Sequence, residues 1–284
     1  MSAVADFRLE SLGAQGPERR YVVTAEAIRA YAAATDDRAP AAAEGRVAPP
    51  VFAIVPVWET IAPASRSVVS EEARRRVVHY AQDLVLHRPL EAGMSVVSFA
   101  IPVALLEHPK GAQLAIKTET RLDDGALVNE QYVTEFFRDV SAGTSSGDRP
   151  PDHRLSDDLR GGEPLAELSY PVAADQTERY AAASGDDFEI HLDDAAARAV
   201  GLPGRIVHGL CTMALAGRAV LEAAGVEDPG AVRRLAVRFS APLRPGGVVT
   251  TRVWRLAGRT TFGFEALDAS GTTVLRDGRA ELRA

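Results

Sequence analysis

The 284-residue sequence predicts an α+β fold built from two repeats, each an antiparallel sheet wrapped around a central helix. Three observations predict it. Two motifs recur in the same order at nearly one offset. Each half places its helices before a run of strand-like segments. One helix is apolar almost all round, as a rod enclosed by a sheet would be.

The recurring motifs are "YAAATDD" (Tyr31–Asp37) with "YAAASGDD" (Tyr180–Asp187), and "LVLHRPLEAGMSV" (Leu84–Val96) with "VRFSAPLRPGGVV" (Val237–Val249). Both pairs are offset by about 150 residues, which argues for duplication. Between the halves, "DVSAGTSSGDRPPDHRLSDDLRGGEP" is rich in Ser, Gly, Pro and charge and has no apolar period, so it reads as a linker. The expected organisation is a first repeat over residues 1–140, a linker over 141–164 and a second repeat over 165–284.

Each repeat opens with a short strand, "RYVVT" or "LSYPV". A helix follows. In the second repeat Asp175 is placed to cap it, with Glu178 reaching back from the third helical position. An irregular segment leads to a second helix, "HGLCTMALAGRAVLEAAG" (His208–Gly225), where Leu210, Cys211, Met213, Leu215, Val220 and Leu221 leave little polar face. Gly225 supplies the stop. The strands that close this repeat are "LAVRFSAPL", "VVTTRVWRLA", "TTFGFEALD" and "TVLRDGRAELR", separated by "RPGG" and "DASG" turns. The first repeat closes with "SVVSFAIPVAL", "AQLAIKTETRL" and "ALVNEQYVTEFFR". Its second helix is read at "APPVFAIVPVWETIA", with a proline-broken start.

Bulk properties narrow the function. A formal charge of −7 gives no prior for nucleic acid or anionic membrane. No apolar run reaches the roughly 18 residues that cross a bilayer. The N-terminus lacks a basic-then-apolar signal pattern, and the one cysteine, Cys211, excludes an internal disulfide framework. The expectation is a reduced, cytoplasmic protein.

The chemistry-bearing stretch is "SGDDFEIHLDD", Ser184–Asp194, on the connection between the two helices of the second repeat. Asp186 and His191 are spaced so that a loop could bring both to one water, one accepting a proton and the other donating or orienting. An Asp in a local turn beside a surface His is the structural alternative. A metal reading has plentiful oxygen but neither the calcium-loop pattern nor a second ligand at zinc spacing, so no metal is expected. In "IVHGL" (Ile206–Leu210) a helix begins. The N–H of Gly209, unpaired at a positive helix end, could hold a carbonyl oxygen as it gains charge. Otherwise Gly209 serves tight packing. An acid–base pair with an oxyanion donor suits chemistry next to a carbonyl.

The stretch Tyr180–Ala214 resembles the hydratase-2 motif of the MaoC-like dehydratases, the (R)-specific enoyl-CoA hydratases: Gly185, Asp186, His191, Asp193, Gly201, His208 and Gly209 fall on it. The resemblance implies a double hotdog fold, in which a first repeat without the motif precedes a second that keeps it. It implies reversible addition of water to a trans-2-enoyl thioester, giving a (3R)-3-hydroxyacyl thioester. By that likeness Asp186 and His191 are catalytic, the Gly209 N–H polarises the thioester carbonyl, and Ser184, Gly185, Asp193 and His208 support the motif. No cofactor beyond the coenzyme A or acyl-carrier-protein part of the substrate is implied. The expected partners are the acyl thioester, a carrier protein and a second copy of the chain as a homodimer. Fatty acid and polyketide metabolism are the settings implied.

One departure stands out. The family's Asn-Pro is Phe188-Glu189 here, and the added carboxylate of Glu189 is expected to raise the pKa of Asp186 and of His191. In the first repeat Asp36 and Asp37 remain, but no His follows at the matching spacing and no His-Gly opens the second helix. The resemblance makes that half an acyl-chain pocket; otherwise it is a folding partner that covers the other half's sheet edge. His87 reads as structural, and Cys211, Trp58 and Trp254 as core. A hotdog thioesterase and a silent acyl-binding protein are the competing readings.

Overall fold

The computed structural model describes residues 3–4 and 7–283. Met1 and Ala284, the outer ends of the two expected repeats, lie outside the described residues. The longer elements run β1 (Arg19–Val22), α1 (Ala25–Ala34), α2 (Pro40–Ala43), α3 (Trp58–Val68), β2 (Val77–Leu86), β3 (Ser95–His108), β4 (Gly111–Leu122) and β5 (Leu127–Arg138). They continue as β6 (Ala166–Pro171), α4 (Gln176–Ser184), α5 (Glu189–Leu192), α6 (Asp194–Ala199), α7 (Gly209–Ala224), β7 (Val232–Phe239), β8 (Val248–Ala257), β9 (Thr261–Asp268) and β10 (Thr273–Leu282). Among the described residues no helix is long and apolar enough to cross a membrane.

The chain gathers into two compact units that interleave along the sequence. One comprises Met1–Val22, Pro56–Val85 and Ser95–Asp152; the other comprises Val23–Val55, Leu86–Met94 and His153–Ala284. In the first unit the strand order is β1-β3-β4-β5-β2. The long β3–β4 hairpin pairs Val96 with Leu122 at one end and His108 with Gly111 at the other. β4 turns alternate residues inward, Leu114 and Ile116 among them. Helix α3 packs on β3 and β4. A run of single tight turns, Pro50–Val57, precedes α3 with Pro56 inside it, as the proline-broken start predicts.

In the second unit the order is β7-β10-β9-β8-β6, antiparallel at each pairing. Helix α7 packs on all five of these strands. Leu210, Cys211, Met213, Leu215, Ala216, Ala219 and Val220 are each at most 3% exposed, which is the enclosure its composition demands. Gly225 ends it at φ 70°, where a side chain would be strained. A sheet curled around one buried helix is the hotdog arrangement.

Two local readings change. Asp175 occupies the cap position of α4 but makes no side-chain cap bond. Its carboxylate pairs with Arg179, and Glu178 pairs with Arg205. The segment read as a linker is structured toward its end: Leu155 is buried, the Trp254 indole N–H donates to Gly162 O at 3.0 Å, and Arg160 bridges Glu265 and Asp277.

Candidate active site

The stretch that carries the candidate residues is shaped by its own backbone. α4 ends at Gly185, whose φ of 81° only glycine adopts without strain. The turn that follows presents Asp186, whose N–H donates to Ser184 Oγ at 3.2 Å. The Phe188 N–H donates to Asp186 Oδ1 at 3.3 Å, and the Phe188 carbonyl accepts from the His191 N–H at 2.9 Å. Phe188 thus clamps both candidate residues through its backbone, while its ring stays 60% exposed. α5 then carries His191 inward. Asp193 caps α6 by accepting from Ala196 N–H at 2.7 Å, so it supports the turn rather than the site. Asp194 Oδ1 accepts from the Arg205 N–H at 2.7 Å and closes the loop that returns the chain to α7.

Asp186 and His191 meet as their spacing predicts. Their donor atoms and that of His208 all lie within 4.8 Å of one another. Asp186 is 8% exposed, His191 9% and His208 1%. His191 Nδ1 lies 2.8 Å from Ile206 O. A carbonyl only accepts, so Nδ1 carries the proton and Nε2 presents a lone pair. His208 Nε2 lies 3.0 Å from Asp186 O and by the same rule donates to it. The His191 and His208 rings stack at 3.8 Å, inclined by 26°. The Tyr180 ring also packs on His208, tilted by 45° at 4.8 Å, and its hydroxyl meets that of Tyr31 at 3.0 Å.

Burial sets the charges. It pushes the Asp186 carboxyl up to about 6, against the Phe188 N–H that pulls it down and with Asp187 adding to the rise. Burial drives His191 down, with the Ile206 hydrogen bond opposing. The expected rise on His191 from Glu189 is therefore corrected: loss of water disfavours the imidazolium. The rise expected on Asp186 is present, but burial leads it and Asp187 is the carboxylate that adds to it. His208 falls to about 3 through burial and the neighbouring His191.

A carboxylate with two imidazoles also has the composition of a metal site. Two of the four ring nitrogens are already committed, His191 Nδ1 to Ile206 O and His208 Nε2 to Asp186 O, and the two rings lie stacked on each other.

Gly209 begins α7 next to His208, so its N–H is one of the helix's unpaired donors. Its lack of a side chain has a packing cause: a Cβ there would sit 2.8 Å from the Phe239 ring. Three contributors are not marked by the sequence pattern: the Ile206 carbonyl, Phe239, and the Tyr31–Tyr180 hydroxyl pair. The tyrosines were visible only as the repeated "YAAA". His87 sits exposed just past β2, His79 Nε2–H donates to Gln82 Oε1 at 3.1 Å, and Cys211 is buried with its thiol pushed up to about 12.

Residues 157–272 match the MaoC like domain family, and residues 11–131 match the FAS1-like dehydratase domain region. The 3-hydroxyacyl-thioester dehydratase Y of Mycobacterium tuberculosis is 31% identical over 214 residues, covering 72% of each chain. The chain belongs to the MaoC-like dehydratases. As a MaoC-like dehydratase it is a hydro-lyase. A probable enoyl-CoA hydratase 2 of Dictyostelium discoideum is 26% identical over 205 residues, covering 72% of this chain and 69% of that one. The crystal structure of a MaoC-like dehydratase from Phytophthora capsici superposes with a TM-score of 0.84 at 21% identity, covering 97% and 98% of the two chains, and shows the shared double hotdog fold.

This MaoC-like dehydratase keeps the outline of the same loop once more, after α1. Asp36, at φ 51°, stands where Gly185 does. The Ala39 N–H donates to Asp37 Oδ1 at 2.9 Å, as Phe188 does to Asp186. The Ala42 N–H donates to Ala39 O at 3.0 Å, as His191 does to Phe188. The position of the imidazole is thus a buried methyl, Ala42. Further on, the Ala48 N–H donates to Leu90 O at 2.9 Å and the Val207 N–H to Leu243 O at 2.8 Å, which sets Pro49-Pro50 against His208-Gly209. Proline has no N–H to offer a carbonyl. The imidazole and the helix-end N–H are both missing there, while the aspartate remains.

Proposed function

We propose that the chain adds water reversibly to trans-2-enoyl thioesters, giving (3R)-3-hydroxyacyl thioesters, with Asp186 and His191 as the proton-transfer pair. The observation that carries this is the Nδ1–H of His191 committed to Ile206 O, which leaves a lone pair on Nε2 beside the Asp186 carboxylate. The relatives named as 3-hydroxyacyl-thioester dehydratase and enoyl-CoA hydratase support the substrate class.

In hydration, one water O–H bond breaks, its oxygen bonds C3, and C2 gains a hydrogen. One member of the pair takes the proton from water and the other returns one to C2, so that a single water is added overall. Burial moves Asp186 up and His191 down, toward each other. The Gly209 N–H, at the positive end of α7, donates to the thioester oxygen as its negative charge grows. The acyl group is carried by coenzyme A or a carrier protein.

The test is loss of enoyl absorbance on incubation with enoyl thioesters of short, medium and long chain. Asp186→Asn and His191→Ala are each expected to lower kcat at least roughly a hundredfold, the scale of a general acid or base. Release of free thiol in place of hydration would support a thioesterase instead.

A further inference from the structure

We infer that His208 is a positioning residue that holds the candidate pair together, fixing Asp186 through its backbone carbonyl and His191 through ring stacking. The inference rests on the hydratase reading above and adds a role for a side chain that itself exchanges no proton with substrate.

The geometry places His208 between the two. Its Nε2–H reaches Asp186 O at 3.0 Å, and its ring lies 3.8 Å from that of His191. Asp186 follows a left-handed glycine and its N–H is held by Ser184 Oγ, so the bond from His208 fixes its backbone on the carbonyl side. His191 keeps Nε2 free only while its ring plane stays aligned with Ile206 O, and a flat partner limits its rotation. His208 is itself clamped. The Tyr180 ring packs on it at 4.8 Å, and the Tyr180 hydroxyl is tied to Tyr31 at 3.0 Å, both tyrosines being fully buried.

The charge of His208 fits the same role. The titratable groups around it are His191, Asp186 and Tyr180, with Tyr31 and Cys211 behind Tyr180. Burial first and then the neighbouring His191 oppose a proton on it, with the hydrogen bond to Asp186 O working the other way. A neutral ring can lie flat against His191 while His191 takes up charge; an imidazolium would repel it.

Three variants separate the contacts. His208→Gln keeps an N–H donor of similar reach and loses the ring. His208→Phe keeps a ring and loses the donor. His208→Ala loses both. The expected result for His208→Ala is a fall in kcat of at least roughly tenfold, the scale of a misplaced catalytic group, with KM within about threefold. Gln and Phe should each recover part of the loss. Nitrogen NMR of the His191 ring should show Nδ1 protonated in the parent and a mixture of tautomers in His208→Ala.

A folded His208→Ala with parental kcat and an unchanged His191 tautomer would overturn the inference, as would a loss confined to KM. If His208→Ala does not fold, Gln and Phe carry the kinetic arm, and parental rates in both overturn it. If the parent fails to hydrate enoyl thioesters, or Asp186→Asn keeps full rate, the hydratase reading fails, whereas an inactive Asp186→Asn beside a fully active His208→Ala sinks the role of His208 alone.

Discussion

At Asp186 the fold holds a carboxyl out of water while giving it one backbone donor, and the two effects do not balance. Its pKa is pushed from 3.8 up to about 6. An acid whose folded pKa is raised binds its proton more tightly in the native state. Between about pH 4 and 6 stability therefore falls as pH rises, and above that the cost is fully present. A gap of this size corresponds to on the order of 3 kcal/mol. Asp186→Asn removes the charge and keeps the oxygen that accepts from Phe188. It should stabilise the folded chain by roughly 1–2 kcal/mol at pH 7 and by nothing below about pH 3, where the parent carboxyl is protonated in both states. Chemical denaturation at the two pH values checks it. Equal midpoints at pH 7 would show that the carboxylate is not desolvated. The spacing of Asp186 and His191 was legible in the sequence because it is local. The sign of the shift on His191 was not, because it depends on burial, which no pair of neighbouring letters reports.

Among the elements, α7 was the most legible. Its apolar surround needs no tertiary knowledge to imply an enclosing sheet, and Gly225 marks its end. β2 was visible only at its tail, "LVLHRPL". Gln82 and Asp83 within it are buried polar residues, and they mask the alternation that betrays a strand. The beginning of α7 was half legible. "His-Gly" suggested an oxyanion donor, whereas the need for glycine there comes from Phe239, some thirty residues on and on β7. Gly209→Ala keeps the N–H and adds a methyl 2.8 Å from that ring. It should destabilise the chain by about 1–3 kcal/mol, the range for overpacking, and Phe239→Leu added to it should return part of the loss. Thermal melts of the two variants decide it. An unperturbed Gly209→Ala would mean that the ring yields freely.

At the scale of the molecule, the duplication is visible as a contact. Tyr31 and Tyr180 open the matching motifs, and their hydroxyls meet at 3.0 Å where α1 packs on α4. The repeat was legible as text. That its two copies of one tyrosine should touch was not, since strings carry no coordinates. Either Tyr→Phe change leaves the remaining buried hydroxyl without its partner and should cost about 1–3 kcal/mol, while the double change should cost less than the sum. A double-mutant cycle in denaturant measures the difference. Additive costs would show that the hydroxyls do not depend on each other.

The twin loop after α1 has a consequence for how many turnovers a chain can run at once. With a methyl at Ala42 and an imino ring at Pro50 it keeps the posture of a reaction centre and, of its means, Asp37 alone. Under the proposed chemistry the stoichiometry is one working centre per polypeptide. The idle copy is then answerable to selection only for its shape, so substitutions there that preserve the backbone leave catalysis untouched.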